Sequence, residues 1–130
     1  MSLSSRIAAL AARIGIEVKD KIDASHPGVA RAWICFGAIN GQVLIRRAFN
    51  VASVTRLDKG RYRVLFTQPL PDANYCFTAT ARSARDNGQQ HFALLRATSD
   101  QKTTQHVDIT VASSTASFDD SSEINLMVFH

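Results

Sequence analysis

The side chains best suited to recognise a ligand are concentrated between residues 82 and 91. Arginine, aspartate, asparagine and histidine pair readily with the vicinal hydroxyls of a sugar, and loops on a rigid scaffold commonly carry recognition. The candidate ligand-binding residues are Arg82, Arg85, Asp86, Asn87 and His91. The alternative is a solvated hairpin loop without a ligand. The segment 99–106 has a similar composition and is the second candidate.

Residues that could do catalysis occur without the partners that catalysis needs. The sequence has no Gly-x-Ser-x-Gly elbow, no phosphate-binding glycine-rich loop and no His-Glu-x-x-His motif. Asp119 and Asp120 are paired carboxylates of the kind that glycosidases use, but adjacent acidic residues are more typical of a solvated turn. We therefore expect no enzymatic activity, no catalytic residue and no cofactor.

The two cysteines, Cys35 and Cys76, lie inside apolar segments. They have no clustered histidines, so the spacing of a zinc site is absent and we expect no metal. A cysteine among apolar neighbours is typically a small buried hydrophobic residue. We expect two buried free thiols and no disulfide, because the reducing cytosol disfavours disulfides.

Length and composition indicate a single globular domain. The chain has 130 residues, of which 45% are hydrophobic. No apolar run reaches the roughly 20 residues that a membrane helix needs, and the N-terminus lacks the pattern of a secretory signal. The net charge of +4 permits nucleic-acid binding, but the arginines are spread over several segments. We expect no membrane partner and keep a nucleic-acid-binding β-domain only as an alternative.

Residues 3–22 have the pattern of a helix. Its apolar positions follow the 4-3-4 spacing of a coiled-coil seam, which then shifts by one residue. These are the candidate oligomerisation residues Leu3, Ile7, Leu10, Ile14 and Val18. A helix of this length is marginal alone in water, so it either caps its own domain or bundles with copies of itself. Isoleucine and leucine at these heptad positions favour a parallel dimer.

From residue 31 onward, apolar and polar residues alternate between turn signals. The predicted strands are 31–36, 42–49, 51–56, 61–67, 74–84, 91–98, 106–112 and 123–129. Short strands at this spacing predict a mainly β fold, an antiparallel β-sandwich or barrel. The predicted organisation is an N-terminal oligomerisation helix at 1–24, a linker at 25–30 and a β-sandwich at 31–130.

Period-2 alternation also predicts which side chains share a face. Val43, Ile45 and Phe49 have one parity and are expected on one face. Trp33 stands between apolar neighbours, which is more typical of a core residue than of an exposed sugar platform. Tyr62 and Tyr75 are likewise predicted in the core, with their hydroxyls bonded to a partner.

Several short motifs lie between residues 32 and 75. They are Ala32-Trp33, Phe36-Gly37, Asn50-Val51-Ala52-Ser53-Val54, Gly60-Arg61-Tyr62-Arg63-Val64-Leu65-Phe66 and Pro71-Asp72-Ala73-Asn74-Tyr75. Together with the last strand they resemble the C-terminal, receptor-binding domain of phage and prophage tail fibres. The helix is similar to the coiled-coil stems that precede such domains. The architecture resembles trimeric lectin-like sandwiches, including the H-type lectins, although none of their sugar-binding motifs can be placed here.

The resemblance implies a homotrimeric adhesin module. Its expected partners are two further copies of itself, a host surface glycan or protein receptor, and other tail proteins. Its expected location is the virion tail, or the host cytoplasm before assembly. Three weak sites on one trimer would act together through avidity. The alternative in the same setting is a structural tail or baseplate module without a ligand of its own.

Overall fold

The computed structural model describes residues 2–84, 88–97 and 99–130. The described residues form one helix, α1 (Leu3–Lys21), and eight strands. The strands are β1 (Ala32–Ile39), β2 (Gln42–Phe49), β3 (Val51–Asp58), β4 (Arg61–Phe66), β5 (Cys76–Arg82), β6 (His91–Leu94), β7 (His106–Ser113) and β8 (Glu123–Phe129). The predicted helix and strands are confirmed, except that β6 ends at Leu94. Among the described residues, no helix is long and apolar enough to cross a membrane.

The strands form two antiparallel four-stranded sheets. Sheet A has the order β2-β1-β8-β5, and sheet B has the order β3-β4-β7-β6. The chain changes sheet after β2, β4, β5 and β7, so the two sheets are linked at both ends. The predicted fold class, an antiparallel β-sandwich preceded by a short helix, is therefore confirmed.

Alternate side chains of both sheets fill the space between them. The larger members of this core are Ile34, Phe36, Tyr62, Val64, Phe66, Leu70, Tyr75, Val107, Ile109, Val111, Ile124, Leu126 and Val128. Burial of each such side chain contributes roughly 1.5–3 kcal/mol. The prediction for the two tyrosines is confirmed: the hydroxyl of Tyr75 donates to the carbonyl of Thr103 at 2.8 Å, and that of Tyr62 donates to Asp120.

Helix α1 begins and ends at residues with suitable chemistry. The side chain of Ser2 accepts a hydrogen bond from the backbone of Ser5 at 3.2 Å, as an N-cap does. Lys19 and Lys21 lie in the last turn, where positive charge is favourable. Pro27 follows shortly after, so the helix cannot continue into the sandwich.

Asn50 connects the two sheets. Its φ of 53° lies in the left-handed region that asparagine tolerates. Its side-chain amide donates to the carbonyls of Arg31 at 3.0 Å and of Gln68 at 3.2 Å, and its side-chain oxygen accepts from the backbone of Gln68 at 2.7 Å. These bonds attach the beginning of β1 and the segment after β4 to the crossover.

The two ends of the sandwich carry different segments. Helix α1 leads into the start of β1, so the end near the helix also contains the crossover at 49–51 and the segment 67–75. The opposite end, which we call the distal end, contains the hairpins at 39–42 and 58–61, the connection 114–122 and the described ends of the connection between β5 and β6, residues 83–84 and 88–90. Ligand-binding loops at the distal end would therefore be remote from the helix.

Candidate functional site

The structure describes two of the five predicted ligand-binding residues. Arg82 ends β5 on sheet A, and His91 begins β6 on sheet B. Both stand at the distal end and bracket the predicted loop. The other three, Arg85, Asp86 and Asn87, lie outside the described residues.

Arg82 and His91 both contact the strand or connection opposite them. The guanidinium of the exposed Arg82 pairs with Glu123 on β8, with 2.9 Å between Nε and Oε2. Nδ1 of His91 lies 2.5 Å from the hydroxyl of the buried Ser121. The ends of the predicted loop are thus held against β8 and the connection that precedes it.

Asp120 is the centre of a hydrogen-bond network at the distal end. Its carboxylate accepts from Arg56, with 2.7 Å between Nη2 and Oδ2, from the backbone of Gly60 at 2.9 Å and from the hydroxyl of Tyr62. The prediction of a solvated turn is therefore wrong for Asp120. The reason is that its partners lie about 60 residues away in sequence, on β3, β4 and the turn between them.

The protonation states in this network point to a structural role. Burial raises the pKa of Asp120, but the hydrogen bonds from Arg56, Tyr62 and Gly60 outweigh it, so the pKa lies below its ordinary value. Burial and the Asp120 carboxylate raise the pKa of the Tyr62 phenol. Asp120 is therefore ionised and Tyr62 protonated at neutral pH. Both carboxylate oxygens are occupied by donors, and together they hold the connection 114–122 against sheet B.

The turn between β3 and β4 is shaped for this contact. Gly60 has a φ of 68°, and a Cβ there would lie 2.6 Å from the backbone nitrogen of Asp119 and 2.6 Å from the carbonyl oxygen of Val111. Only glycine allows both the backbone conformation and so close an approach. The glycine therefore allows the neighbouring connection to pack directly against this turn.

The outer face of sheet A carries an apolar cluster around Trp33. Trp33 on β1 lies opposite Met127 on β8, and its ring stacks on Phe49 of β2 with 6.5 Å between the centroids. Phe49 and Met127 are exposed and Trp33 is half-buried. The prediction that Trp33 lies in the core is wrong. Its neighbours Ile34 and Phe36 have the opposite parity and fill the inside of the sheet.

A β-bulge explains why Phe49 faces outward. Val43 and Ile45 lie opposite residues of β1 that point inward, whereas Phe49 lies opposite Trp33, which points outward. The register shifts at Arg46, which has no partner on β1. One extra residue reverses the side-chain alternation. The predicted common face for these three apolar residues is therefore wrong.

Both cysteines also lie on the outer face of sheet A. Cys35 is half-buried beside a groove of about 240 Å³ next to Trp33, and Cys76 is exposed. The prediction of buried thiols is wrong, and both thiols are free. Cys35 lies opposite Asn125 of β8 and Cys76 lies opposite Phe129 of the same strand, on its other side. The two cysteines are therefore two strands and four residues apart, which is roughly 16 Å. A disulfide cannot span that distance.

Helix α1 leaves its apolar seam exposed. None of the residues Leu3–Lys21, all of which the structure describes, is buried. The five predicted oligomerisation residues are between 54% and 73% exposed: Leu3, Ile7, Leu10, Ile14 and Val18. The alternative in which the helix caps its own sandwich therefore does not describe this chain. Association through the seam stays a prediction.

The outer face of sheet B carries buried ion pairs. Two N–H groups of Arg63 on β4 bind Asp108 on β7 at 2.7 and 3.0 Å. Asp100, from the second candidate segment, accepts from Nη2 of Arg96 at 2.9 Å and from the hydroxyl of Thr110 at 2.7 Å. Both carboxylates are only 2% exposed. Burial raises the pKa of each, but the hydrogen bonds outweigh it and both pKa values are lowered.

The comparisons with known proteins identify no homologue of this chain. No family model matches the chain, and the searches of curated proteins and of solved structures return no similar protein. The fold and its surfaces define a class: an antiparallel β-sandwich with an apolar cluster on the outer face of sheet A, ion pairs on the outer face of sheet B and an exposed helical seam. Any statement about function therefore depends on these surfaces.

Proposed function

We propose that this chain is an adhesin module of the tail-fibre type. Three sandwiches assemble through α1 and present their distal loops to a host surface glycan or protein receptor. The observation that carries the proposal is the exposed apolar seam of α1, at the end of the sandwich remote from the polar loops. A chain built in this way has one end suited to assembly and another suited to recognition.

The free energy of burial favours association through the helix. Each seam side chain that moves from water into an interface contributes roughly 1.5–3 kcal/mol. A short helix owes its stability mainly to packing, and this one has no packing partner among the described residues. Parallel association under rotational symmetry brings all distal ends to the same side of the assembly. That arrangement suits adhesion to a surface.

The apolar cluster on sheet A supports an orientation in which this sheet turns toward the axis. The outer face of sheet A exposes Phe49 and Met127 around Trp33, whereas the outer face of sheet B carries the ion pairs of Arg63 and Arg96. Apolar surface is the surface that gains free energy from a protein partner. In the proposed assembly, sheet A faces the neighbouring copies, and sheet B and the distal loops face solvent.

The number three comes from the resemblance to tail fibres, since the seam pattern alone also suits a dimer. Three copies place three distal loops on one side, so weak individual contacts act together through effective concentration. The structural tail module without a ligand shares the same assembly. The two functions differ only in whether the distal end binds anything.

A glycan array probed with the purified oligomer tests the proposal. Replacement of both Arg85 and Asp86 by alanine should weaken any binding by about tenfold or more and leave the melting temperature almost unchanged. The control is the double variant Gln68→Ala and Gln105→Ala, which is also neutral in net charge and lies at the end near the helix. Binding that is equal in both variants would place the receptor site elsewhere. No binding to any glycan or host envelope would favour the structural module.

A further inference from the structure

Arg61 has an unusual environment on the outer face of sheet B. It begins β4, in register with Asp58 of β3 and Thr110 of β7. Its Nε is buried and has no hydrogen-bond partner among the described residues. Its nearest carboxylate oxygen is Oδ1 of Asp100, 4.0 Å from Nη2, which is too far for a hydrogen bond. The side chain is 29% exposed, so it is accessible from solvent.

The neighbouring carboxylates are already committed to other donors. Asp100 accepts from the backbone and guanidinium of Arg96 at 2.8 and 2.9 Å and from Thr110 at 2.7 Å. Asp108 accepts from Arg63. The two buried carboxylates thus neutralise two of the three guanidinium groups on this face. Arg61 retains its charge and its unused donors.

The remaining titratable groups on this face do not neutralise Arg61. Asp58, across on β3, accepts from the backbone of Lys59 at 2.7 Å and forms no ion pair with Arg61 in the described chain. Burial and the nearby charge of Arg63 lower the pKa of His106, so its ring is neutral at pH 7. Arg61 is therefore a cation without a hydrogen-bonded acceptor among the described residues, and the exposed part of its guanidinium can meet an anion that approaches from solvent.

We propose that Arg61 is the centre of a binding site for an oxyanion carried by an acidic glycan. The guanidinium fork matches two oxygens of a carboxylate, sulfate or phosphate group. Leu94 is exposed on the same face, two strands from Arg61 and across Thr110, and the guanidinium of Arg96 lies 4.9 Å from the ring centre of Phe118. A charged group next to apolar surface is what an acidic sugar requires.

Arg61 begins β4 on the outer face of sheet B, whereas Arg82, at the described edge of the predicted receptor loop, ends β5 on sheet A. The glycan as the source of the oxyanion rests on the proposed function, whereas binding of the anion itself does not. A trimer with sheet A turned inward would keep Arg61 accessible in all three copies. The net charge of +4 favours the approach of an anionic ligand.

Titration of the full chain, followed by NMR or calorimetry, tests the inference. The probes are glucuronate, galactose 6-sulfate and inorganic phosphate, with neutral galactose as reference. We expect at least one oxyanion to bind and galactose not to bind. Arg61→Gln should weaken that binding about tenfold or more, and Arg61→Lys, which keeps the charge but loses the fork, should weaken it less. The relative affinities separate a carboxylate site from a sulfate or phosphate site.

Lys19→Gln is the matched control, since it removes one positive charge from the helix, away from the seam. It should leave anion binding unchanged. Absence of binding by all three oxyanions, or equal binding by Arg61→Gln, would overturn the inference. If the oligomer binds a host glycan through the distal loops but no oxyanion at Arg61, only this inference fails. If oxyanions bind at Arg61 and no glycan or host surface is bound, the proposed function fails and the anion site stands.

Discussion

Asp120 shows how one carboxylate can organise one end of a small sandwich. It joins the turn between β3 and β4, the inward-facing Tyr62 and the connection 114–122. Its neighbour Asp119 makes only a 3.9 Å contact with the exposed Lys59. Adjacent and chemically identical side chains therefore have very different expected effects on stability, because only one of them replaces its lost water with protein donors.

Replacement of Asp120 by alanine should lower the free energy of unfolding by about 2–4 kcal/mol, because Arg56 and the hydroxyl of Tyr62 lose their acceptor while partly or fully buried. Asp119→Ala should cost no more than about 0.5 kcal/mol, as expected for a loose ion pair whose lysine is exposed. Urea denaturation at a fixed protein concentration measures both. Equal effects of the two substitutions would contradict the structural role of Asp120.

Stability should fall in acid. The pKa values of Asp100, Asp108 and Asp120 in the folded chain lie below the ordinary 3.8. The stability that these carboxylates contribute is therefore fully present above pH 3.8 and is lost as the pH falls through their lower folded values. Each contributes a slope of up to about 1.4 kcal/mol per pH unit in that range.

Denaturant unfolding at several pH values between about 5 and 2 measures this loss. Asp120→Asn should show a smaller loss between these limits than the unmodified chain, since one of the three groups no longer titrates. A profile that is flat below pH 4 in the unmodified chain would show that the carboxylates are not held ionised by their partners.

At the scale of elements, α1 and sheet A present apolar surfaces that the rest of the described chain leaves uncovered. The helix has isoleucines on both sides, which provides an internal comparison. Ile14 belongs to the seam, whereas Ile16 lies on the opposite side of the helix and is 59% exposed. Replacement of either isoleucine by aspartate lowers helix propensity equally. Only the replacement in the seam should therefore affect assembly.

Ile14→Asp should dissociate the oligomer, because a charge in the seam would have to lose its hydration without a partner. Ile16→Asp should leave the oligomer intact. Analytical ultracentrifugation of both variants at micromolar concentration measures the difference, with circular dichroism to check that the sandwich remains folded. If both variants are dissociated, or if neither is, the proposal that the seam of α1 holds the oligomer together is contradicted.

At the scale of the whole molecule, the outer face of sheet A carries the apolar cluster around Trp33 and the outer face of sheet B carries ion pairs. The monomer has a mass of 14.2 kDa, so light scattering should give about three times that value. In the assembly Cys35, beside the groove of sheet A, should react with a thiol reagent at least tenfold more slowly than in the dissociated Ile14→Asp variant.

The exposed Cys76 provides a second readout on the same face. It lies two strands from Cys35 and at the end nearer the helix, so its protection reports how far the interface extends. A monomer in light scattering would contradict the proposed assembly. If the protein is a trimer and both thiols react fully, association through the helical seam is supported and the proposal that sheet A lies in the interface is contradicted.

The elements that the sequence predicted are those set by local chemistry. The 4-3-4 spacing of apolar residues predicted α1. Period-2 alternation between turn signals predicted the strands and most of the core. The turn Asn40-Gly41 is an example: both residues have positive φ, as a two-residue hairpin requires. Such features depend on residues within a few positions of one another, so a single chain displays them directly.

The candidate sites depended on contacts between distant parts of the chain. Alternation separates the two faces of a strand but does not say which is inside when both are apolar, and this is why Trp33 was misassigned. A single bulge at Arg46 reversed the face of Phe49. The packing of β3, β4 and the later connections supplies the donors of Asp120 and leaves Nε of Arg61 without an acceptor among the described residues. The sequence by itself determined the elements and their turns. The tertiary structure alone decided which face is buried and which charges are paired, because both depend on packing between segments far apart in the chain.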